Sequence, residues 1–355
     1  MASDWLEIRA GRQAYERIQE EGLLPNSIEL LMGASGGPKW FILQGLDRYL
    51  FGEFFADRQQ PLDLLGTSAG AWRFASLGQL DPVAASDLFV RLYSSQTYSE
   101  KPDVQEITDE ARKLLHEYVP DRQVEAILQQ DRFRHHMIVA RCNGLTAVEG
   151  RRQLLGLLGS AAANTVNRRW LGRFYERVIF HHPQSTAAFS RGWQDMPTSY
   201  VPLSQDNFKL ALLATGSIPM VIAGVENIPG APPGMYRDGG ITDYHFDVDL
   251  SAVDGLVLYP HFHREVVPGW FDKRLTWRRT TGKHWPNVIF MTPSREFIES
   301  LPYGKIPDRT DFAKLDAQTR FDYWTKAVEQ GRRMAEQLHE WIATDAIREK
   351  TKLWL

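Results

Sequence analysis

The chain has 355 residues, 43% of them apolar and 24% charged, the balance of an ordinary globular protein long enough for one large domain or two smaller ones. Its net charge of −3 gives no bulk electrostatic case for nucleic acid. One cysteine, Cys142, excludes an intramolecular disulfide, and neither CxxC nor HExxH spacing occurs to mark a metal site.

The N-terminus is charged from Asp4 onward and lacks a basic stretch followed by an apolar core, so no secretory signal is expected. Residues 5–22 predict an amphipathic surface helix and residues 28–32 a strand. That strand runs into Gly33-Ala34-Ser35-Gly36-Gly37-Pro38-Lys39. Pro38 suits the first position of a helix, because its missing N–H would be unpaired there anyway. A helix is therefore predicted from Trp40 to about Phe55. Gly36 and Gly37 then fall at a helix N-terminus, where bare backbone N–H groups can point at an anion. Lys39-Trp40 fails the Walker pattern, and Gly33, Gly36 and Gly37 fail the dinucleotide-binding pattern. An oxyanion site or a plain tight turn remain as readings of this loop.

Residues 61–65 read as an apolar strand, Gly66-Thr67-Ser68-Ala69-Gly70 as a glycine-flanked turn, and the residues after it as a helix. That strand-turn-helix context is what a G-x-S-x-G nucleophile elbow requires. Ser68 would stand at a helix N-terminus, with Gly66 and Gly70 allowing close backbone approach. Residues 81–131 predict two or three helices. His135-His136 precede a strand over 137–140, and adjacent strand residues point to opposite faces, so the pair cannot serve one site. Cys142 follows that strand and reads as a buried, inert thiol. Residues 150–173 predict a helix whose arginine pairs, Arg151-Arg152 and Arg168-Arg169, sit on solvated faces; 177–180 predict a strand. Residues 208–219 read as a buried helix stopped by Gly216 and Pro219. The apolar run 210–225 is too short and too broken by glycine and proline to span a membrane. Asp238-Gly239-Gly240 reads as a tight turn that holds its carboxylate close to backbone. Strands are expected at 256–259 and 288–291. Between them, Trp270, Phe271, Trp277, Arg278, Arg279, His284 and Trp285 form either a large loop with buried aromatics, the preferred reading, or a lipid-interface segment. Apolar residues from Phe321 to Ile342 recur at helical spacing, a stripe that packs on the domain or on a second subunit.

Glycine loop, serine elbow and Asp-Gly-Gly stand in one order, and that order resembles the patatin-like phospholipases, a family of lipid acyl hydrolases. Gly66-Thr67-Ser68-Ala69-Gly70 matches the family elbow, the 33–39 loop is a variant of its glycine run, Ala214-Thr215-Gly216-Ser217-Ile218-Pro219 is similar to its small-residue stretch, and Asp238-Gly239-Gly240 matches its acid motif. The resemblance covers about residues 27–245; 246–355 form a C-terminal extension without a matching motif, within one domain. Asp243 stands where family members often have Asn.

The resemblance implies a three-layer α/β/α patatin-like fold with a mainly parallel central sheet. It further implies a Ser68–Asp238 dyad without histidine, an oxyanion hole from Gly36, Gly37 and Ala69, and support from Gly66, Gly70, Lys39, Gly239 and Gly240. No cofactor and no metal is expected. The expected substrate is an acyl lipid, either phospholipid or lysophospholipid, with hydrolysis of short esters, thioesters or polyester, or a silent scaffold, as alternatives. The expected setting is cytoplasmic, with transient contact at a lipid surface left open. A conventional α/β-hydrolase, using His245, His261 or His263 as a third catalytic residue, is the rival reading on motif alone.

Overall fold

A computed structural model describes residues 4–354. The apolar runs condense into one mixed sheet of eleven strands among those residues: β1 (Leu6–Ala10), β2 (Ile28–Gly33), β3 (Leu62–Thr67), β4 (Phe133–Cys142), β5 (Tyr175–His181), β6 (Thr198–Pro202), β7 (Val225–Glu226), β8 (Met235–Asp238), β9 (Leu256–Pro260), β10 (Val288–Pro293) and β11 (Thr351–Leu353). The order across the sheet is β11-β1-β10-β9-β2-β3-β4-β5-β6, and β8 pairs with both β4 and β7. Most pairings are parallel, including the central run β10-β9-β2-β3-β4. Strands β9 and β10 are buried along their whole length, and β2 and β3 nearly so. A parallel strand with both faces covered reads as a continuous apolar run rather than an alternating one. The α/β class and the mainly parallel sheet match the expectation from sequence.

Short polar residues set the helix starts. Asp81, Asp103 and Asp316 each accept a hydrogen bond from the amide three residues on, capping helices Pro82–Ser94, Val104–Tyr118 and Ala317–Ala343. The last of these buries Trp324, Val328, Ala335 and Leu338 against the chain's own core.

Several elements differ from the sequence reading. The expected helix over 5–22 is β1 followed by helix Arg12–Glu21. Leu6, Ile8 and Ala10 are buried and alternate, a period of two that runs directly into helical spacing. The segment after Pro38 is a 3₁₀ helix at Gly37–Leu43, an α-helix at Gln44–Tyr49 and a π-helix at Leu50–Phe54, rather than one α-helix from Trp40. The 150–173 helix stops at Val166 and continues as 3₁₀ over Arg168–Arg173. Strands β6, β7, β8 and β11 were not expected. His135 and His136 lie within β4 with separate partners, Phe74 O and Asp63 Oδ1. Cys142 is buried, and burial pushes its thiol up to about 12.

Candidate active site

Strand β3 ends at Thr67 and helix Ala69–Leu77 begins at once, so Ser68 alone turns the chain. Its φ of 50° and ψ of −125° are a strained conformation for a residue with a Cβ, costing about 1–3 kcal/mol. The surroundings leave no alternative. A Cβ on Gly70 would lie 1.9 Å from Gly33 O, and one on Gly66 2.5 Å from the Ala71 backbone. The Ser68 amide donates to Thr215 Oγ1 at 2.9 Å, and that hydroxyl donates to Ile138 O at 2.6 Å. Thr215 thereby ties the end of β3 to β4.

The sheet register brings the second residue. On one edge of β4, Ile138 pairs with Thr67 of β3, and the next residue, Val139, pairs with Asp238 of β8. Strands β3 and β8 therefore meet end to end along the same edge. Ser68 Oγ donates to Asp238 Oδ2 at 2.9 Å, and Asp238 Oδ1 accepts from the Gly240 amide at 2.7 Å. A Cβ on Gly239 would lie 2.0 Å from Ile138 O, which keeps this turn flush against β4. Both residues are largely buried, each 7% exposed. Burial raises the Asp238 carboxyl to about 6, against the lowering effect of its hydrogen bonds to Gly240 and Ser68.

Loop 34–37 leaves the adjacent parallel strand β2 and lies beside the serine. Gly37 has a φ of +57°, which favours glycine, and a Cβ on Gly36 would lie 2.4 Å from the Phe262 ring. Among the described residues, the amides of Gly36, Gly37 and Ala69 donate to no protein acceptor. Gly36 and Gly37 line the same cavity as Ser68 and Asp238. The Lys39 ammonium pairs with Asp308 at the rim of that cavity.

Two cavities of different character meet at Ser68. One, of about 160 Å³, mixes polar and apolar lining and holds three cations, Lys39, Lys273 and Arg309, with the acids Asp238 and Asp308 beside Ile218, Pro219 and Trp270. The Lys273 ammonium stands 4.2 Å from the centre of the Tyr244 ring. Although the Lys273 side chain reaches solvent, the packing around its ammonium, with repulsion from Lys39 and Arg309, lowers it to about 8. The other, of about 340 Å³, is apolar, walled by Trp72, Phe89, Ile107, Ala111, Leu114 and Ile222 among others. Ser68, Gly37, Ile218 and Arg309 line both.

The histidine reading has no geometric support. His245 Nδ1 accepts from the Val267 amide and His261 Nδ1 from the His263 amide. Burial lowers His261 to about 3 and His263 to about 4. Among the described residues, no histidine hydrogen-bonds Ser68 or Asp238, whose oxygens are taken by Ser68 and Gly240. The tryptophan-rich segment divides. Trp285 is fully buried against Tyr259 and Phe290, Trp270 and Phe271 are half-buried, and Trp277 is exposed. Asp243 accepts from Arg177 Nε and Nη2 at 2.7 and 2.6 Å, and Arg177 also grips Asp195. An Asn at 243 could not answer that buried guanidinium with a charge. The contributions of Thr215, Lys273, Arg309 and Arg177 were not read from the sequence.

No family model matches the chain, and no curated protein matches it. Among solved structures it is similar to VipD from Legionella pneumophila, with 11% identity and a TM-score of 0.37, over 96% of this chain and 71% of that one. It is also similar to human GIVD cytosolic phospholipase A2, with 11% identity and a TM-score of 0.31, over 96% of this chain and 62% of that one. The chain thus spans less than two thirds of the human protein, and likenesses this distant assign no residue a role.

Proposed function

We propose that the chain is a serine hydrolase that cleaves carboxylic esters of acyl lipids through a Ser68–Asp238 dyad. The observation that carries this is the 2.9 Å Ser68–Asp238 hydrogen bond at the junction of an apolar and a cationic cavity. An ester of a fatty acid with an anionic headgroup has that same division. Its acyl chain fits the apolar side and its phosphate the side with Lys39, Lys273 and Arg309. A phospholipid or lysophospholipid meets both demands; a short neutral ester uses neither.

In this reading Ser68 Oγ attacks the ester carbonyl while Asp238 Oδ2 takes its proton. An aspartate raised to about 6 is a better base than one in water and is still ionised at neutral pH. The free amides of Gly36, Gly37 and Ala69 receive the oxyanion; loss of one such donor costs about 10²–10³ in rate. Asp238 then returns the proton to the leaving alkoxide. Water, deprotonated by the same carboxylate, hydrolyses the acyl-Ser68 intermediate. The strained elbow keeps Ser68 in its attacking position before substrate arrives.

A panel of phosphatidylglycerol, phosphatidylcholine, a monoacylglycerol and short chromogenic esters tests this. Free fatty acid should be released from the phospholipids by the wild type and not by Ser68→Ala. Turnover of short neutral esters alone, or equal release by the variant, would contradict it.

A further inference from the structure

Helix Arg151–Val166 is turned inside out. Its buried face carries Gln153, Gly156, Ser160 and Asn164, with Leu157 the only large apolar member. Each polar group there has a partner. With its amide oxygen turned to Arg237, Gln153 accepts from Nε at 2.8 Å; Ser160 Oγ donates to the Tyr175 hydroxyl at 3.2 Å; Asn164 Nδ2 donates to Asp272 at 2.7 Å. The leucines face outward: Leu154, Leu155 and Leu158 are 49%, 60% and 59% exposed. Of eleven large apolar side chains exposed among the described residues, five lie between Leu154 and Trp170. A helix that merely covers a core has the opposite arrangement.

The charges carried by the segment itself have one sign. Between Glu149 and Glu176 the sequence holds five arginines and no acidic residue or lysine. Arg168 is tied inward to Asp272, while Arg151, Arg152 and Arg169 are exposed at the two ends of the leucine stripe. Positions 151, 155, 158, 162 and 166 follow one another at steps of three and four within the helix, so arginine, leucine, leucine, alanine and valine share one line along its surface, and Arg169 follows beyond the break at Asn167. Trp170, 40% exposed, and Trp277, 70% exposed, add amphipathic rings. The Trp277 side joins the helix through Arg278, which donates to Thr165 O at 3.1 Å.

We propose that this outward face docks on an anionic lipid surface, with the leucines entering the headgroup–acyl boundary and the arginines pairing with lipid phosphates. Apolar burial and arginine attraction are the two forces that hold such helices in an interface. A second copy of the chain fits the face badly, because a two-fold contact would set the same exposed arginines against each other. Position agrees with purpose. Glu149, just before the helix, accepts from the Gly224 amide, two residues beyond Ile222 of the apolar cavity. At its other end the helix packs on Trp270–Asp272, and Trp270 lines the cationic cavity. The inference deepens the acyl-lipid reading of the ester site, and it is tested without turnover.

Ser68→Ala protein is sedimented with vesicles of phosphatidylcholine alone and of phosphatidylcholine with phosphatidylglycerol, at low and high salt. The parent should bind the anionic vesicles and release them as salt rises. Replacing Leu154, Leu155 and Leu158 together by serine should weaken binding about tenfold or more with an unchanged melting temperature, since all three are exposed. Arg151→Glu with Arg152→Glu should abolish the preference for phosphatidylglycerol. Absence of binding by the parent would overturn the proposal, as would equal binding by all variants. A dimer that the leucine substitutions dissociate, read by light scattering, would assign the face to a second copy instead. If the panel of esters fails while vesicles still bind, the ester reading falls and the docking face stands.

Discussion

The two cavities at Ser68 are built from different parts of the chain. The apolar one is walled mainly by helices Ala69–Leu77, Pro82–Ser94 and Val104–Tyr118, with residues 216–222. The cationic one combines the 35–39 loop and the Asp238 turn with Trp270, Lys273 and residues 308–310 from the C-terminal extension. On the proposed reading, the reacting groups and, apart from Arg309 and Phe312, the acyl side come with the first 245 residues, whereas Lys273 and Arg309 on the leaving side come from segments beyond them. That reading expects chemistry and headgroup choice to be separable by substitution.

The largest effect is expected where both cavities depend on one bond. Asp238→Asn should lower kcat/KM about 10²–10⁴-fold on every ester. In the wild type, kcat/KM should rise through pH about 6 as Asp238 ionises, and this acid limb should be missing in the variant. Next comes the acyl side alone. Ala111→Trp fills the apolar cavity and should cost about 10–100-fold on long-chain esters while leaving an acetyl ester unaffected; equal loss on both would erase the division between cavities. On the leaving side, Lys273→Gln should cut the preference for an anionic over a neutral headgroup about tenfold. The wild-type preference should itself decline above pH about 8, where Lys273 loses its charge.

The smallest effect is on stability. Because the folded-state pKa of Asp238 lies above its unfolded value, its contribution is favourable at low pH and is lost as pH rises from about 4 through about 6. At pH 8 the buried carboxylate costs up to about 3 kcal/mol. Asp238→Asn should therefore raise the denaturant midpoint at pH 8 and leave it nearly unchanged at pH 4. An equal gain at both pH values would show that burial of the charge is not the cause.

Ser68 was legible because an elbow is local: strand, strained turn and helix occupy some fifteen consecutive residues. Asp238 was legible by resemblance, but its meeting with Ser68 rests on the register of β4, which no local pattern displays. The short strand β8 went unread because its four residues include Arg237, whose charge is answered by Glu149 far along the chain. Lys273 and Arg309 sit on irregular segments where neither period nor motif marks a side chain. The helix Arg151–Val166 was legible as a helix, while its inverted orientation depends on Arg237, Tyr175 and Asp272 waiting beneath it. Strand β1 was absorbed into a helix because five alternating residues are too few to outweigh the helical spacing that follows.

In the proposed mechanism Asp238 itself activates Ser68. The most direct measurement is the rate of Ser68 labelling by an alkyl fluorophosphonate across pH, in the wild type and in Asp238→Asn. The wild-type rate should rise through pH about 6 to a plateau, and the variant rate should be lower by about 10² or more with no step. Labelling of Asp238→Asn at the wild-type rate, with the same pH step, would contradict that mechanism.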